Sequence, residues 1–583
     1  PQSSDLLDLS MASQWMLHAR RYHDAIAMLE RILPRDSFSP LHVDLLHCYA
    51  LSDQRSKVRD LLESLPGEWR YSADARQVAL SIYGEAGDWP KMRELAELLV
   101  NESPSDAAGW LLLIQVLANE NPGQMDEYVA RLPVLLNGTV QEQLKLANVE
   151  LSIGRQERGL DRIYRAMRLN GDDVDAAAGH LSLMIMASSA SEAIQAPPSA
   201  VEIGTSVELE DSAGKNGYVS IDFSSELPPA PSGEFIAADS PQAARLLGLK
   251  VGDTTSVSSL VGEQTLTVKR IITIHRRLLD LSYERVSNSV VPSKTLVAMS
   301  IPTREDGELD VSFFVDQIEQ KKAQSLNTIS LYGQHQATLG LLARLLGVDV
   351  IDLVRGWPDE GSLLQVSTGM GPHDVFPSDT TQDQPWVIDL SMLVELATLG
   401  VLDVLELFPS LYVTAATKQL LDVKVETSAR YRKSGTLFSH DGQLGMQEQT
   451  EEAWRKEREF LESIGTAIEA FCQVVPAYGP PEQSEQLQML KDILGHEDYA
   501  VLLACQEHDA GLLSLDARLR DLAGLLGIVG ASPQMLLREA LRVDRITPEE
   551  YSRALIRLVM NRRSFVSIRA MDLIVMMNQG EAF

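Results

Sequence analysis

Cysteine is scarce in this chain, since its 583 residues include only Cys48, Cys472 and Cys505. An odd number of cysteines without the spacing of zinc ligands argues against a disulfide framework or a structural zinc site. The chain also lacks a run of about 18 apolar residues, which a membrane-spanning helix needs. The start at Pro1 has no charged and then apolar export pattern, and it suggests that the native start is missing or processed. These absences predict a cytoplasmic protein with no membrane partner.

Basic residues are few as well. The chain has 51 Lys and Arg against 82 Asp and Glu, which gives a formal net charge of -31. Such a charge repels polyphosphate at long range and excludes a broad basic face, so any contact with nucleic acid must be local. The glycine-rich phosphate loops of nucleotide-binding proteins are absent too, which argues against nucleotide hydrolysis. A chain of this length predicts three or four domains.

The first 190 residues have the apolar spacing of helices, as in Ala25, Met28, Leu29 and Ile32. Turn-like segments recur about every 34 residues. They are Arg20–Tyr22, Gln54–Ser56, Gly87–Trp89, Pro122–Gln124 and Gly154–Gln156.

This period, with small residues such as Ala25, Gly87 and Ala118, resembles tetratricopeptide repeats. The resemblance implies an all-α solenoid over residues 1–190, whose concave surface binds a protein or peptide ligand. An alternative is that the array only spaces or dimerises the other domains.

After the connector at Ser188–Pro198, the apolar period changes from 3.6 to 2, which predicts a domain boundary and a sheet. Extended stretches are predicted over Val201–Leu209, Tyr218–Phe223 and Thr265–Ile272. A short helix lies between them. We expect Ser240 to cap it, Pro241 to take its first position and Gly248 to end it in the left-handed conformation.

The string from Ser240 to Asp253, SPQAARLLGLKVGD, resembles the C-terminal domain of the Gre transcript-cleavage factors. The resemblance implies an FKBP-like α+β domain over residues 199–285 that binds at the secondary channel of bacterial RNA polymerase. The family's N-terminal coiled coil has no counterpart here, so the resemblance implies docking on RNA polymerase and not transcript cleavage. Reuse of the sheet domain for another protein partner is the alternative.

Residues 290–366 form an α/β segment of unknown role. Strands are predicted at Leu296–Ile301 and Thr328–Tyr332, and helices at Val311–Ala323 and Ala337–Leu346. His335 either orients a substrate phosphate or is an ordinary loop residue. Residues 367–385 are typical of a linker.

Carboxylates follow apolar segments in the C-terminal third. Asp389 breaks the strand that begins at Trp386, Asp516 follows the strand Gly511–Leu515, and Asp498 precedes an apolar helix. A further strand, Leu411–Thr414, leads into another helix. This alternation predicts a parallel sheet, in which sites lie at the carboxyl ends of the strands. We therefore expect Asp389 and Asp516 at one edge.

These residues resemble the motifs of the PIN nuclease family. Asp389 and Ser391 match its first-strand Asp and nearby hydroxyl, Asp498 matches its helix-start Asp, and Ser514 with Asp516 matches its Thr/Ser-x-Asp turn. The resemblance implies a three-layer α/β/α domain over residues 384–583, with a helical insertion at 424–477 and a helical tail. It also implies Mg²⁺- or Mn²⁺-dependent cleavage, usually of RNA.

Asp389, Asp498 and Asp516 are the predicted metal ligands, because Mg²⁺ prefers hard oxygen donors. Ser391 or Ser514 would position water or phosphate. Taken singly, Asp389 and Asp498 are also typical of helix caps, and Asp516 is typical of a turn.

One family position departs from the pattern, since Gln419 stands where the family has Glu. Asp422 and Glu497 are possible substitutes.

The order of the three modules resembles that of composite bacterial proteins linked to conflict and stress response. It predicts a transcription-associated, metal-dependent ribonuclease of a bacterial stress or defence system. The alternative is a non-catalytic adaptor, whose degraded PIN domain bridges RNA polymerase and a repeat-bound partner.

Overall fold

The computed structural model describes residues 6–33, 38–186, 196–225, 227–259, 262–289, 293, 296, 302–303, 310–334, 336–359, 361–367, 384–429, 435–440 and 443–578. The chain divides into two compact units. The first unit contains residues 1–92 and 303–583, and the second unit contains residues 93–302.

The N-terminal region is helical, and a 3₁₀ turn at Pro122–Gln124 precedes α9. Its helices are α1 (Leu6–His18), α2 (Tyr22–Ile32), α3 (Pro40–Leu51), α4 (Arg55–Ser64), α5 (Gly67–Arg70), α6 (Ala73–Ala86), α7 (Trp89–Glu102), α8 (Ala107–Glu120), α9 (Met125–Arg131), α10 (Val140–Ser152), α11 (Gln156–Leu169) and α12 (Val174–Met186).

The turns between these helices repeat a backbone feature. Arg20, Asp53 and Gly87 have φ angles of 57°, 58° and 76°, and Gly154 has a φ of 83°. Each lies in the left-handed region, which lets the chain reverse between helices. These positions follow the period of about 34 residues expected from the sequence, so the region is consistent with tetratricopeptide-like repeats.

The second unit also contains a mixed five-stranded sheet in the order β3-β2-β1-β5-β4. Its elements are β1 (Thr205–Glu210), β2 (Asn216–Ile221), β3 (Phe235–Ile236), α13 (Pro241–Leu246), β4 (Thr254–Ser259), β5 (Gly262–Thr273) and α14 (Ile274–Ser287). The Ser240 hydroxyl accepts a hydrogen bond from the Ala243 N–H at 3.1 Å, and Gly248 has a φ of 85°. The predicted cap of α13 is therefore confirmed, whereas the helix ends at Leu246 with Leu247 as its C-cap, so the left-handed Gly248 lies one residue beyond the C-cap.

In the first unit, a parallel five-stranded sheet has the order β10-β7-β6-β11-β12, with helices before, between and after its strands. A 3₁₀ turn, Leu402–Leu407, precedes β7. The elements are α15 (Ser312–Gly333), α16 (Leu339–Leu346), α17 (Val350–Arg355), β6 (Trp386–Ile388), α18 (Leu390–Leu399), β7 (Leu411–Thr414), α19 (Ala415–Thr427), β8 (Gly435–His440), β9 (Gln443–Glu448), α20 (Glu451–Phe471), β10 (Gln473–Val475), α21 (Glu485–Lys491), α22 (His496–Glu507), β11 (Gly511–Leu513), α23 (Ala517–Leu525), β12 (Gly530–Ala531), α24 (Pro533–Arg542), α25 (Pro548–Met560) and α26 (Ala570–Asn578).

The strand predicted at Thr328–Tyr332 is wrong, because these residues belong to the helix α15. Ile329 and Tyr332 are both buried and lie one helical turn apart, so they pack on one core together with Leu339 and Leu393. Tertiary packing overrides the β-propensity of a Thr, Ile and Tyr segment here. Residues 310–367 contribute helices to the core of the sheet domain and do not form a separate α/β layer in the described part.

The insertion at 424–477 is not wholly helical, which corrects the expectation. It contains an antiparallel ribbon of β8 and β9 before α20. It also ends in β10, which pairs with β7 and so belongs to the sheet itself. Short strands of mixed polarity carry little periodic signal. The helical spacing of the long segment that forms α20 therefore led to the prediction of helix for the whole insertion.

Several predictions fall wholly or largely outside the described residues. They concern the connector Ser188–Pro198, the strand Leu296–Ile301, His335 and the linker at 367–385.

Candidate acidic site

Asp389 follows β6 and caps α18. Its carboxylate accepts hydrogen bonds from the Met392 N–H at 2.8 Å and from the hydroxyls of Ser391 and Ser514. Asp389 therefore caps α18 and also belongs to the predicted acidic site. Because the hydroxyl of Ser514 comes from the turn after β11, the neighbouring strands β6 and β11 bring both predicted serines to one carboxylate.

Asp516 lies at the same edge of the sheet and caps α23. One carboxylate oxygen accepts from the Arg518 N–H at 2.9 Å, and the other accepts from the Leu339 N–H at 2.6 Å. Its own N–H donates to the Ser514 hydroxyl at 3.1 Å. Asp516 is buried. Its N–H and the Asp389 carboxylate both bind the Ser514 hydroxyl, which links the two acids.

Asp498 lies in the first turn of α22, but it is not the helix cap, because Gly495 occupies that position. Its carboxylate accepts a hydrogen bond from the Thr338 hydroxyl at 2.8 Å. The capping alternative for Asp498 is therefore wrong, while the structure places its side chain at the pocket that Asp389 and Asp516 line.

The three carboxylates share a narrow pocket of about 20 Å³. Its lining residues are Leu339, Gly340, Val350, Asp389, Leu390, Ser391, Thr417, Leu420, Glu497, Asp498, Val501 and Asp516. In such a narrow space, loss of solvation and repulsion between like charges both raise the pKa of a carboxyl group.

The pKa values of the three acids are raised. Desolvation raises the pKa of Asp498 to about 8, and the charges of Asp516 and Asp389 act in the same direction against the hydrogen bond from Thr338. Burial raises the pKa of Asp516 to about 6, although the N–H groups of Leu339 and Arg518 oppose the shift. Burial also raises the pKa of Asp389, against the hydrogen bonds from Ser514, Met392 and Ser391. Burial is therefore the main reason why the pKa values of these three acids are raised.

Glu497 lines this pocket, whereas Gln419 and Asp422 are not among its lining residues. Asp422 instead forms an ion pair with Lys418 at 2.7 Å, one turn away on α19. Of the two substitutes that the sequence left open, the geometry favours Glu497 as the fourth acid.

The donor set suits a hard divalent cation, because clustered carboxylates with raised pKa values gain from a positive charge. Within the part of the chain that the structure describes, however, no group of three or more His, Cys, Asp or Glu side chains has the spacing of metal ligands. The N-terminal end of α16 contacts two of the acids, since its N-cap Thr338 donates to Asp498 and its first residue Leu339 donates to Asp516.

Sequence reasoning missed these α16 residues. Thr338 has a recognisable local signal, since its hydroxyl caps α16 by accepting from the Leu341 N–H at 3.2 Å. That signal predicts a helix start but not the contact with an acid 160 residues further along the chain. Arg520 was also missed, and its guanidinium donates to the Ser514 carbonyl at 2.6 Å and so braces the turn between Ser514 and Asp516.

Comparisons with known proteins match two parts of the chain. Residues 387–524 match the family described as the PIN domain associated with the TPR-GreAB-C-PIN system. Residues 196–273 match the C-terminal domain of the transcription elongation factors GreA and GreB. No curated protein matches the chain.

Among solved structures, a prokaryotic transcription elongation factor GreA/GreB from Nitrosomonas europaea is similar at 20% sequence identity. The match covers 13% of this chain and 64% of that one, with a TM-score of 0.12.

The chain thus combines a PIN domain, a class of domain that generally has nuclease activity, with a Gre C-terminal domain and a helical N-terminal region. This is the composition of the TPR-GreAB-C-PIN system, and the Gre domain relates it to transcription. In the described residues, no helix is both long enough and apolar enough to cross a bilayer.

Proposed function

We propose that this protein is a transcription-associated, metal-dependent ribonuclease whose acidic pocket cleaves RNA. The observation that carries the proposal is the convergence of Asp389, Asp498 and Asp516 from three separate elements on one pocket, with Glu497 beside them. A structural role would not require four acids to share a space in which two of them have pKa values raised to about 6 and 8.

Different residues of the pocket would have different roles in cleavage. Asp389, Asp498 and Asp516 would hold Mg²⁺ or Mn²⁺, with Glu497 as a further oxygen donor. Ser391 and Ser514 already donate to Asp389 and would fix the orientation of its carboxylate. When bound, the cation would lower the pKa of a water molecule for attack on phosphorus and offset the charge on the leaving oxygen.

We also propose that the protein docks on RNA polymerase, and its Gre-type domain supports this part of the proposal. The order of repeats, Gre domain and PIN domain supports a role in a bacterial stress or defence system, in the cytoplasm, where RNA is made. The repeats would bind a protein or peptide ligand on their concave surface.

The proposal predicts that cleavage of labelled single-stranded RNA in Mn²⁺ falls at least about 100-fold in Asp389→Asn and in Asp516→Asn, because each loses a charged ligand. Glu497→Gln should also reduce the rate. Asp422→Asn is the matched control, since it removes an acid that pairs only with Lys418 among the contacts described, and its rate should equal that of the wild type. Gel-resolved cleavage rates with and without EDTA provide the measurement.

Equal rates in wild type and both variants would show that cleavage comes from elsewhere. If the wild type does not cleave RNA in Mg²⁺ or in Mn²⁺, and no variant alters Mn²⁺ binding, the adaptor function replaces the enzymatic one.

A further inference from the structure

We infer that α16 is a built-in cover of the acidic pocket, and that its first turn competes with a divalent cation for the same carboxylate oxygens. This inference rests on the proposed nuclease function and adds a regulatory step to it. The cover is defined here as Thr338 together with α16.

Two donors of the cover bind two different acids. The Thr338 hydroxyl donates to Asp498 Oδ2 at 2.8 Å, and the Leu339 N–H donates to Asp516 Oδ2 at 2.6 Å. Both Thr338 and Leu339 are buried, with exposed fractions of 2% and 1%. Consecutive residues of the cover therefore contact two of the three acids that would hold a cation.

The charge of the cover matches this role. The N–H groups in the first turn of a helix carry a partial positive charge and favour nearby anions. The Leu339 N–H in the first turn of α16 is such a group, and it donates to Asp516.

The third position of the cover is a glycine that lies directly against an acid. A methyl group added at Gly340 would overlap the Asp498 carboxylate and come within 2.8 Å of its Cγ. A side chain at this position would therefore force the cover or the Asp498 carboxylate to shift.

The pocket that the cover and the acids line is narrow. Its volume of about 20 Å³ is close to what one water molecule needs, whereas Mg²⁺ usually retains several waters. Displacement of the cover would therefore widen the pocket for a hydrated cation.

The joint of the cover lies at its C-terminal end. Gly347, with a φ of 67°, ends α16, and the next helix α17 is held separately by Lys424, which pairs with Asp349 and Asp352 at 2.7 and 2.6 Å. Because Leu342 and Ala343 of α16 are buried in the core, the cover would have to move about Gly347 against this packing while α17 stays in place.

The test compares Gly340→Ala with the wild-type full chain. We expect the added methyl group to displace the cover, to increase hydrogen–deuterium exchange of the amides in α16, and to tighten Mn²⁺ binding at least about tenfold, because the competent state becomes more populated. Free Mn²⁺ is measured by electron paramagnetic resonance. Gly465→Ala is the control, because Gly465 also lies within a helix and a methyl group there meets nothing within 4 Å.

A second pair of variants tests the hydroxyl of Thr338 without adding bulk. Thr338→Val lacks the donor to Asp498 and the cap of α16, whereas Thr338→Ser retains both. Exchange in α16 and Mn²⁺ affinity should rise in the valine variant and stay near wild-type values in the serine variant.

Three outcomes separate the cover from the nuclease proposal. Equal Mn²⁺ affinity in wild type, Gly340→Ala and Thr338→Val, with RNA cleavage retained, would overturn the cover alone. Tighter Mn²⁺ binding without any change of exchange in α16 would also overturn it, because Asp498 would then have moved instead of the helix. No Mn²⁺ binding in any variant, despite faster exchange in α16, would overturn both proposals.

Discussion

Two histidines, His180 and His275, make the stability of the second unit depend on pH. His180 on α12 is 2% exposed and its Nδ1 lies 2.9 Å from the Ser282 hydroxyl on α14. Burial lowers the pKa of His180 to about 4, and the nearby His275 acts in the same direction. Burial lowers the pKa of His275 to about 4 as well, against the charge of Asp161. Both imidazoles are therefore neutral in the folded protein at mild acidity.

This arrangement predicts a loss of stability on acidification. The unfolded chain binds a proton at each histidine near pH 6.5, whereas the folded chain does so only near pH 4, so the free energy of unfolding decreases as the pH falls through this window. The decrease between pH 7 and 5 is about 2 kcal/mol per histidine. Thermal unfolding of the full chain at both pH values should show it, and His180→Gln should show a smaller decrease. An unchanged pH dependence in that variant would rule out His180 as its source.

At the scale of elements, the turn between α3 and α4 in the helical repeats is hydrogen-bonded to α22, the helix that carries Asp498. Asp53, in the left-handed turn between α3 and α4, is buried and accepts hydrogen bonds from Arg55, from Lys491 at 2.6 Å and from Tyr499 at 2.8 Å. Tyr499 is the residue after Asp498 on α22. Burial raises the pKa of Asp53, but the charges of Arg55 and Lys491 outweigh it and lower the pKa below its ordinary value.

Asp53→Asn should lower the free energy of unfolding of the first unit by about 3 kcal/mol, because it leaves the buried Arg55 with less compensation. Asp60→Asn is the control, since Asp60 is 58% exposed in its pair with Arg59 and should contribute less than about 1 kcal/mol. Thermal and urea unfolding of the full chain measure both. Since the pKa of Asp53 is lowered, its contribution is present above about pH 4 and decreases at lower pH. Equal losses in the two variants would contradict this account.

At the scale of the whole molecule, the Gre-type domain and the last repeat helices form one unit. Asp222 accepts from Arg168 and Tyr164 of α11, and Arg285 of α14 donates to Asp172. Deleting residues 199–285 would therefore remove the partners of buried groups such as Arg168. A surface substitution tests polymerase docking without this damage.

Val251→Asp is the substitution we choose. Val251 is 61% exposed and lies within the string that resembles the Gre factors, so a charge there should reduce the RNA polymerase recovered with the full chain by about tenfold. Leu135→Asp is the control, because Leu135 is 69% exposed outside the Gre-type domain. Equal recovery with both variants would mean that this loop does not bind the polymerase.

The sequence alone determined the modules and most of the acidic edge. Periods of 3.6 and 2 are local properties, so they predicted the helical region, the strands and the cap at Ser240. Asp389 and Asp516 were predicted to meet because parallel strands end at a common edge, and hydrogen bonds through Ser514 link them.

Only the tertiary structure decided which residues complete and cover the pocket. Glu497 lines it while Asp422 pairs with Lys418, although both were equal candidates in the sequence. Likewise, Thr338 meets Asp498 and Asp53 meets Tyr499 across long stretches of chain. Such contacts depend on how whole helices pack on the sheet, and no local period of the sequence encodes that packing.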